Sequence, residues 1–500
     1  MMGQIYKNYH MKNLLMLVLS VWILVSCGIR KRDYNEVPAV VVKEDFLPTD
    51  VADAAFKNTA IAVEWWAEFK DPVMDALIEK ARNHNLDVNT AIANFHASRA
   101  MLKNTKFDRL PTITAGGDYT RTRMGENVFI PGQNPTYSTY SAAFDSFWEI
   151  DVFGRVSDRI KGAYANHQQV LADMHGIYIR IFAEVANSYL ELKGTQYLQD
   201  IAKRNLKGQQ ETYNLTVKLF EAGTGNRLDV ARALGQLETT RASMPPLEAR
   251  IEALKNSISV LVGEVPGNLD AVVLEKQPLP SLPASIALGD VQEMLRRRPD
   301  VRLAEAVLQE RIAGYNISVA ELYPKIDFGG SIGFSAVDFS SFGTTGSFTW
   351  SIFPRISWAA FNLGRVRQQI KRDDARTVAA VNQYEKAVLQ GLEEIKTALS
   401  NYTQELRRRE VLRTSTQASA QAAEFAKQRF NGGLDNFIDY LSAEQTLLAA
   451  ENALALSEIS SATALVAIYK ALGGGWEIIT QEEVDQKFEA MAHSSADNNN

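Results

Sequence analysis

Chemistry has few places to reside in this 500-residue sequence. Cys27 is its one cysteine. A lone thiol excludes an internal disulfide framework, a cysteine-rich zinc site and an iron–sulfur cluster. The six histidines are scattered and keep no metal-ligand spacing. One G-x-S-x-G match, Gly329-Gly330-Ser331-Ile332-Gly333, offers a hydroxyl of the acyl-transfer type. A nucleophile elbow needs a strand-to-helix turn, and these residues lie inside an alternating strand pattern. Gly223-Thr224-Gly225 lacks the third glycine of a dinucleotide fingerprint and follows no strand. No P-loop and no H-E-x-x-H occurs. Gly473-Gly474-Gly475 follows a helical pattern and reads as a helix stop. Asp229 and Asp439 stand at matching places after Gly-rich turns. They read either as helix N-caps or, in a symmetric assembly, as rings of carboxylates that favour cations. The chain reads as no enzyme, with no catalytic residue and no metal.

The composition agrees. Apolar residues make up 46% and charged residues 22%, near the average for globular chains. The mean hydropathy of −0.17 excludes a bundle of apolar transmembrane helices. A net charge of −6 gives no basic balance for nucleic acid.

Cys27 gains meaning from what precedes it. Residues 14–25 read LLMLVLSVWILV, after Lys7 and Lys12. Twelve apolar residues span about 18 Å as a helix, short of the ~30 Å hydrocarbon core. An export signal over 1–26 is therefore expected, with Met1 and Met11 both possible starts. Leu24-Val25-Ser26-Cys27-Gly28 resembles the bacterial lipobox, cleaved before a cysteine that carries diacylglycerol and an N-acyl chain such as palmitate. Gly28 rather than aspartate fits sorting away from the inner membrane. Three acyl chains exceed the two-signal threshold for stable anchoring. No other cofactor is implied.

The chain also repeats itself. Asn85-Leu-Asp-Val88 echoes Arg298-Pro-Asp-Val301, and Leu110-Pro111 echoes Tyr323-Pro324, both at an offset of 213. Trp148…Gly154-Arg155-Val156 echoes Trp358…Gly364-Arg365-Val366 at 210, and Phe220, Gly223, Asn226 and Asp229 match Phe430, Gly433, Asn436 and Asp439 at the same offset. An offset that changes once and then holds is the mark of duplication. Each half starts with a helical pattern (72–108 and 289–321), passes through two strands, and enters a long helix that turns and returns. Prolines at 245–246, 266 and 278–283 read as the linker between halves. The expected parts are a lipidated segment 27–70, a first repeat 71–275 with strands near 112–124 and 137–153, a linker 276–288, a second repeat 289–480 with strands near 325–336 and 347–361, and a disordered tail 481–500.

The strands alternate with period two. Ile326, Phe328, Ile332, Phe334 and Ala336 share a face, opposite Lys325, Asp327, Ser331 and Ser335. Phe348, Trp350, Ile352, Ile356 and Trp358 do likewise, as do Tyr140, Ala142, Phe144, Trp148 and Ile150. A soluble sheet with one wet face gives this pattern, and so does a transmembrane barrel. Four strands cannot close a barrel, because barrels start at about eight. An open edge cannot lie in lipid. Spanning strands would therefore require several chains, and three chains would supply twelve strands.

From Arg155 to Leu219 there are 65 residues without proline, about 97 Å as one helix at ~1.5 Å per residue. Val156, Ile160, Ala163, His167, Val170, Met174, Ile177 and Ile181 keep alternating four–three spacing, a coiled-coil seam. His167 within it reads as a packed histidine. Val378, Val381, Tyr384, Val388, Leu392, Ile395 and Leu399 repeat the pattern in the second half.

Lipobox, duplicated halves, paired strands, long helices and Gly-turn returns occur here in one order. With Trp65-Trp66, Phe69, Asp71-Pro72 and Arg297-Arg298-Pro299-Asp300-Val301, they resemble the TolC-like outer-membrane efflux protein family. Within it they look most like the lipidated, NodT-type subgroup serving RND systems. The resemblance covers roughly residues 60–475. It implies a mainly α chain with four transmembrane strands, whose homotrimer forms a 12-stranded β-barrel continued by an α-helical barrel. It implies the outer membrane of a Gram-negative bacterium, a periplasmic adaptor (membrane fusion protein), an inner-membrane RND pump, and multidrug or other small-molecule export. Adaptor docking falls on the turns holding Gly223, Gly225, Gly432 and Gly433, and the periplasmic gate on Asp229, Phe430, Asp435, Asp439 and Ser442. Asp439 corresponds to a pore-lining aspartate, whereas a second aspartate three residues on is Ser442 here. A tyrosine and an arginine that lock some members fall at Phe430 and Asp435, which implies closure more through apolar contact. The alternatives are a type I protein-secretion channel and a lipid-anchored periplasmic coiled-coil structural protein.

Overall fold

The computed structural model describes residues 30–34, 56–57, 59, 61–125, 135–269, 273 and 278–497. Cys27 and the 1–26 signal segment lie outside the described residues.

Two short helices, α1 (Pro72–His84) and α2 (Leu86–Lys106), lead into β2 (Thr112–Arg123) and β3 (Thr136–Ile150). The 67-residue helix α3 (Arg155–Glu221) follows, and α4 (Arg227–Ala242) and α5 (Met244–Leu261) return. The second half repeats this order. Helices α6 (Val291–Arg297) and α7 (Pro299–Ala320) lead into β5 (Lys325–Ala336) and β6 (Phe348–Ser357), then the 69-residue α8 (Leu363–Asn431) and the 35-residue α9 (Phe437–Ala471). Helix α10 (Gln481–Asp497) ends the described chain, and the two-residue strands β1 (Phe56–Lys57) and β4 (Ile286–Ala287) pair in parallel.

Two expectations change. Pro245 and Pro246 are not linker residues but the first turn of α5, where a missing N–H costs nothing. Residues 481–497 of the expected tail form a helix. As α10 it presents Val484, Phe488 and Met491 to the hydrophobic core, and Arg82 of α1 bonds Glu483. Its apolar residues recur at helical spacing, enough to dock a short terminal helix.

Compactness also divides the chain differently from the repeats. The described residues of 1–39, 97–169 and 304–385 form one unit, and those of 40–96, 170–303 and 386–500 the other. Each unit draws on both halves, because a single repeat has too few helices to bury its own apolar faces.

The first unit carries an antiparallel sheet of order β2-β3-β5-β6. Its register places Ala115, Phe144, Ile332 and Trp350 in one row across four strands, and Thr114, Asp145, Ser331 and Ser351 in the next. The apolar row is uncovered: Phe144 is 60% and Trp350 68% exposed. Ser331 sits mid-strand between Asp145 and Ser351, away from any strand-to-helix turn. Residues 30–34 are tied to this unit's helices. Asn316 grips the backbone of Arg32 through both its amide groups (2.8 and 3.0 Å), and the Tyr34 hydroxyl and Lys31 both bond Asp158. His167 lies 2.8 Å from the Ser98 hydroxyl, a packed histidine whose pKa is lowered by burial and by Arg99 and Lys106.

The second unit holds the main core. Trp65 stacks on Tyr469 at 5.3 Å and meets Trp66 edge-on. Asp71 caps α1 by accepting from the Val73 and Met74 N–H groups, and also accepts from the Tyr189 hydroxyl (2.8 Å). The Trp65–Pro72 motif is therefore a fold element.

Candidate pore tip

Both helix turns singled out in the sequence belong to the second unit, and they line one cleft of about 440 Å³. Each turn is built by the same local rule. Helix α3 ends with the Gly223 N–H on the Phe220 carbonyl and the Thr224 N–H on the Leu219 carbonyl, and α8 ends with Gly433 on Phe430 and Leu434 on Arg429. Gly223 (φ +76°) and Gly433 (φ +70°) take the left-handed conformation that this closure needs. Gly225 and Gly432 are in the same turns.

The helices restart on asparagine, not aspartate. Asn226 Oδ1 accepts from the Asp229 N–H (2.9 Å), and Asn436 Oδ1 from the Asp439 N–H (3.0 Å). The N-cap reading of Asp229 and Asp439 is thus corrected: they occupy the third helical position, where the helix dipole favours a negative charge. In each case the asparagine amide oxygen, not the aspartate carboxylate, takes the third N–H. Asp229 takes a hydrogen bond from Asn226 Nδ2 (2.7 Å) and lies 3.8 Å from Arg232. Asp439 is exposed, and no side chain among the described residues pairs with its carboxylate. Ser442, one turn on, is also exposed. Asn436→Ala is expected to destabilise the start of α9 by ~1 kcal/mol. Faster amide hydrogen exchange in residues 437–440, restored in Asn436→Asp, would check it.

Asp435 is not free. Arg429 grips it with two hydrogen bonds (2.6 and 2.8 Å) across the second turn. That guanidinium holds the Asp435 carboxyl below the usual carboxylate range. Phe430 stacks on Tyr440 at 5.5 Å and leans on Phe437 at 5.6 Å, forming a small apolar cluster with Ala233. Within this one chain Phe430 is thus packed against the start of α9.

Sequence reasoning missed Arg429, Tyr440 and Glu444. The six-residue spacing from Arg429 to Asp435 spans the Gly turn and was a readable signal. The doubled Asn-x-x-Asp pattern (226–229 and 436–439) signalled the caps in the same way.

The family model described as "Outer membrane efflux protein" matches residues 77–264 and 291–474, one match for each half. The chain belongs to the outer membrane efflux protein family. The probable efflux pump outer membrane protein TtgC of Pseudomonas putida KT2440 is 29% identical over 473 residues, 93% of this chain and 96% of its own. Nodulation protein T of Rhizobium leguminosarum bv. trifolii is 25% identical over 84% of this chain and 89% of its own. The solved outer-membrane channel OprN superposes with a TM-score of 0.84 at 34% identity, covering 90% of this chain and 99% of that one. Within the outer membrane efflux protein family, the duplicated order of elements is thus a shared architecture.

Proposed function

We propose that this chain is the outer-membrane channel of a tripartite efflux system. One observation carries the reading: the four-stranded sheet leaves its apolar face uncovered and, among the described residues, its β2 and β6 edges unpaired. Such a sheet in water exposes a contiguous apolar row through Phe144, Ile332 and Trp350, the kind of surface that marks contact with lipid or a partner. In lipid its edges need partners. A homotrimer satisfies both demands by pairing edges into a closed barrel of twelve strands. The helices then continue as an α-barrel into the periplasm, where an adaptor docks on the Gly223–Gly225 and Gly432–Gly433 turns and an inner-membrane RND pump supplies the energy. Membership of the outer membrane efflux protein family and the efflux names of relatives such as TtgC support this.

Cys27 is the proposed lipid anchor. Residues 30–34, which begin three positions later, are fixed to the unit that bears the sheet. In the trimer, Asp439 forms a ring of three carboxylates at the tip, and such a ring favours cations.

The test is single-channel conductance of the purified protein in planar bilayers. Small, infrequent openings in the wild type that enlarge in Asp439→Ala are the expected result. Openings unchanged by the substitution would move the gate to the contacts around Phe430. A well-folded preparation without conductance would remove the channel reading.

A further inference from the structure

Glu444 lies one turn beyond Tyr440 on α9, next to the tip cluster. Its Oε1 accepts a hydrogen bond from the Tyr440 hydroxyl, whose oxygen is also 3.1 Å from the Thr212 hydroxyl of α3. Its Oε2 is shut off from solvent, with no hydrogen-bond partner among the described residues. An ionised carboxylate with one oxygen buried and unpaired is costly, and proton uptake relieves the charge. The titratable groups facing this network are Glu211 on α3, Lys427 on α8 and Tyr440 on α9 itself. Burial pushes the Glu444 carboxyl above the usual range, while the Tyr440 hydrogen bond and Lys427 pull it down, and burial wins. Tyr440 in turn stacks on Phe430 at the end of α8. The chain of contacts Glu444–Tyr440–Phe430 therefore joins the first turns of α9, with Asp439 and Ser442, to α3 and α8.

The geometry points to Glu444 as a positioning residue of the tip: uncharged, it lets Tyr440 stay packed on Phe430 and holds the tip closed, and ionised, it favours a hydrated arrangement in which α9 loosens from α3. The proton comes from and returns to the surrounding water. This rests on the channel reading given above. The sign follows from linkage. The buried, closed state binds the proton more tightly than a hydrated, open state, so low pH favours closure and rising pH favours opening. Each unit of pKa difference between the two states changes the open-to-closed ratio by up to tenfold per protomer.

The experiment records opening frequency of the full-length protein in planar bilayers from about pH 4, within the ordinary carboxylate range, up to about pH 8. The wild type is expected to open about tenfold more often at the alkaline end. Glu444→Gln, which mimics the protonated acid, is expected to open rarely and with a flat profile. Tyr440→Phe removes a hydrogen bond that favours the ionised form, so the rise should persist but move to higher pH. Asp439→Ala should change conductance and keep the rise. A wild-type slope retained in Glu444→Gln would overturn the inference. Where Glu444→Gln does not fold, an unshifted Tyr440→Phe profile overturns it instead. A wild-type pore indifferent to pH also overturns it while leaving the channel reading intact. Absence of any pore in wild type and variants alike removes the channel reading and this inference with it.

Discussion

Arg298→Ala is expected to lower stability by about 3 kcal/mol, at the lower end of the range for removing one partner of a buried ion pair. The Arg298 side chain is only 6% exposed. It bonds Asp300 through two nitrogens (3.0 and 2.6 Å), Glu394 of α8 (2.6 Å) and the Ala471 carbonyl that closes α9 (2.7 Å). One guanidinium thus pins the start of α7, the middle of α8 and the end of α9. Asp300 and Glu394 keep about half their side chains in solvent (50% and 57%), so the carboxylates left behind hydrate, which holds the cost near the lower bound. The Ala471 carbonyl and the vacated volume account for the rest. The fit is close on two sides. A Cβ on Gly391 would lie 3.0 Å from Arg298 Nε, and one on Gly473 3.1 Å from Arg298 Cα. Arg298→Lys keeps the charge but not the planar fork, and should recover only part of the loss. Thermal loss of helical circular dichroism in detergent reads the effect. An unchanged midpoint in Arg298→Ala would show the junction to be held without it.

The second large effect is acid lability through His175. The ring is 6% exposed, stacked 4.1 Å from Trp476, with the Arg302 guanidinium 5.1 Å from the same indole. Its Nδ1 is buried without a hydrogen-bond partner among the described residues. Burial first, and the Arg302 charge second, push the pKa down to about 4 from 6.5. The folded state therefore binds this proton less tightly than the unfolded chain does. Stability is full above about pH 6.5, falls as the pH drops towards 4, and loses no more from this group below that. A shift of that size is worth roughly 3 kcal/mol at its limit. His175→Phe keeps a flat ring against Trp476 and removes the titration. Melting temperatures measured between the two pKa values should fall steeply in the wild type and less in His175→Phe. Parallel curves would exclude His175 as the source.

Local rules were legible in the sequence wherever a residue type does one thing. Gly223 and Gly433 announced the two turns, because only glycine takes the required φ without strain. Alternation over 325–336 and 347–358 announced strands and the face each residue takes, because strand side chains have period two. The 210-residue offset announced equivalent turns, whereas Pro245 and Pro246 open a helix that the sequence pattern assigns to a linker.

Tertiary structure alone decided the partners. That Tyr440 meets both Glu444 and Thr212 of α3, and that Arg298 meets Glu394 and the Ala471 carbonyl, depends on which elements the fold brings together. His175 carried no sequence signal, since its depressed pKa comes from Trp476 and Arg302, hundreds and over a hundred positions away. Alternation leaves open what covers the apolar face of the sheet, because period two records only that two faces differ. Helix and strand identity are set by neighbours within a few residues, so one chain of letters carries them. Burial and pairing are set by residues brought together from both halves, and only the folded chain carries those.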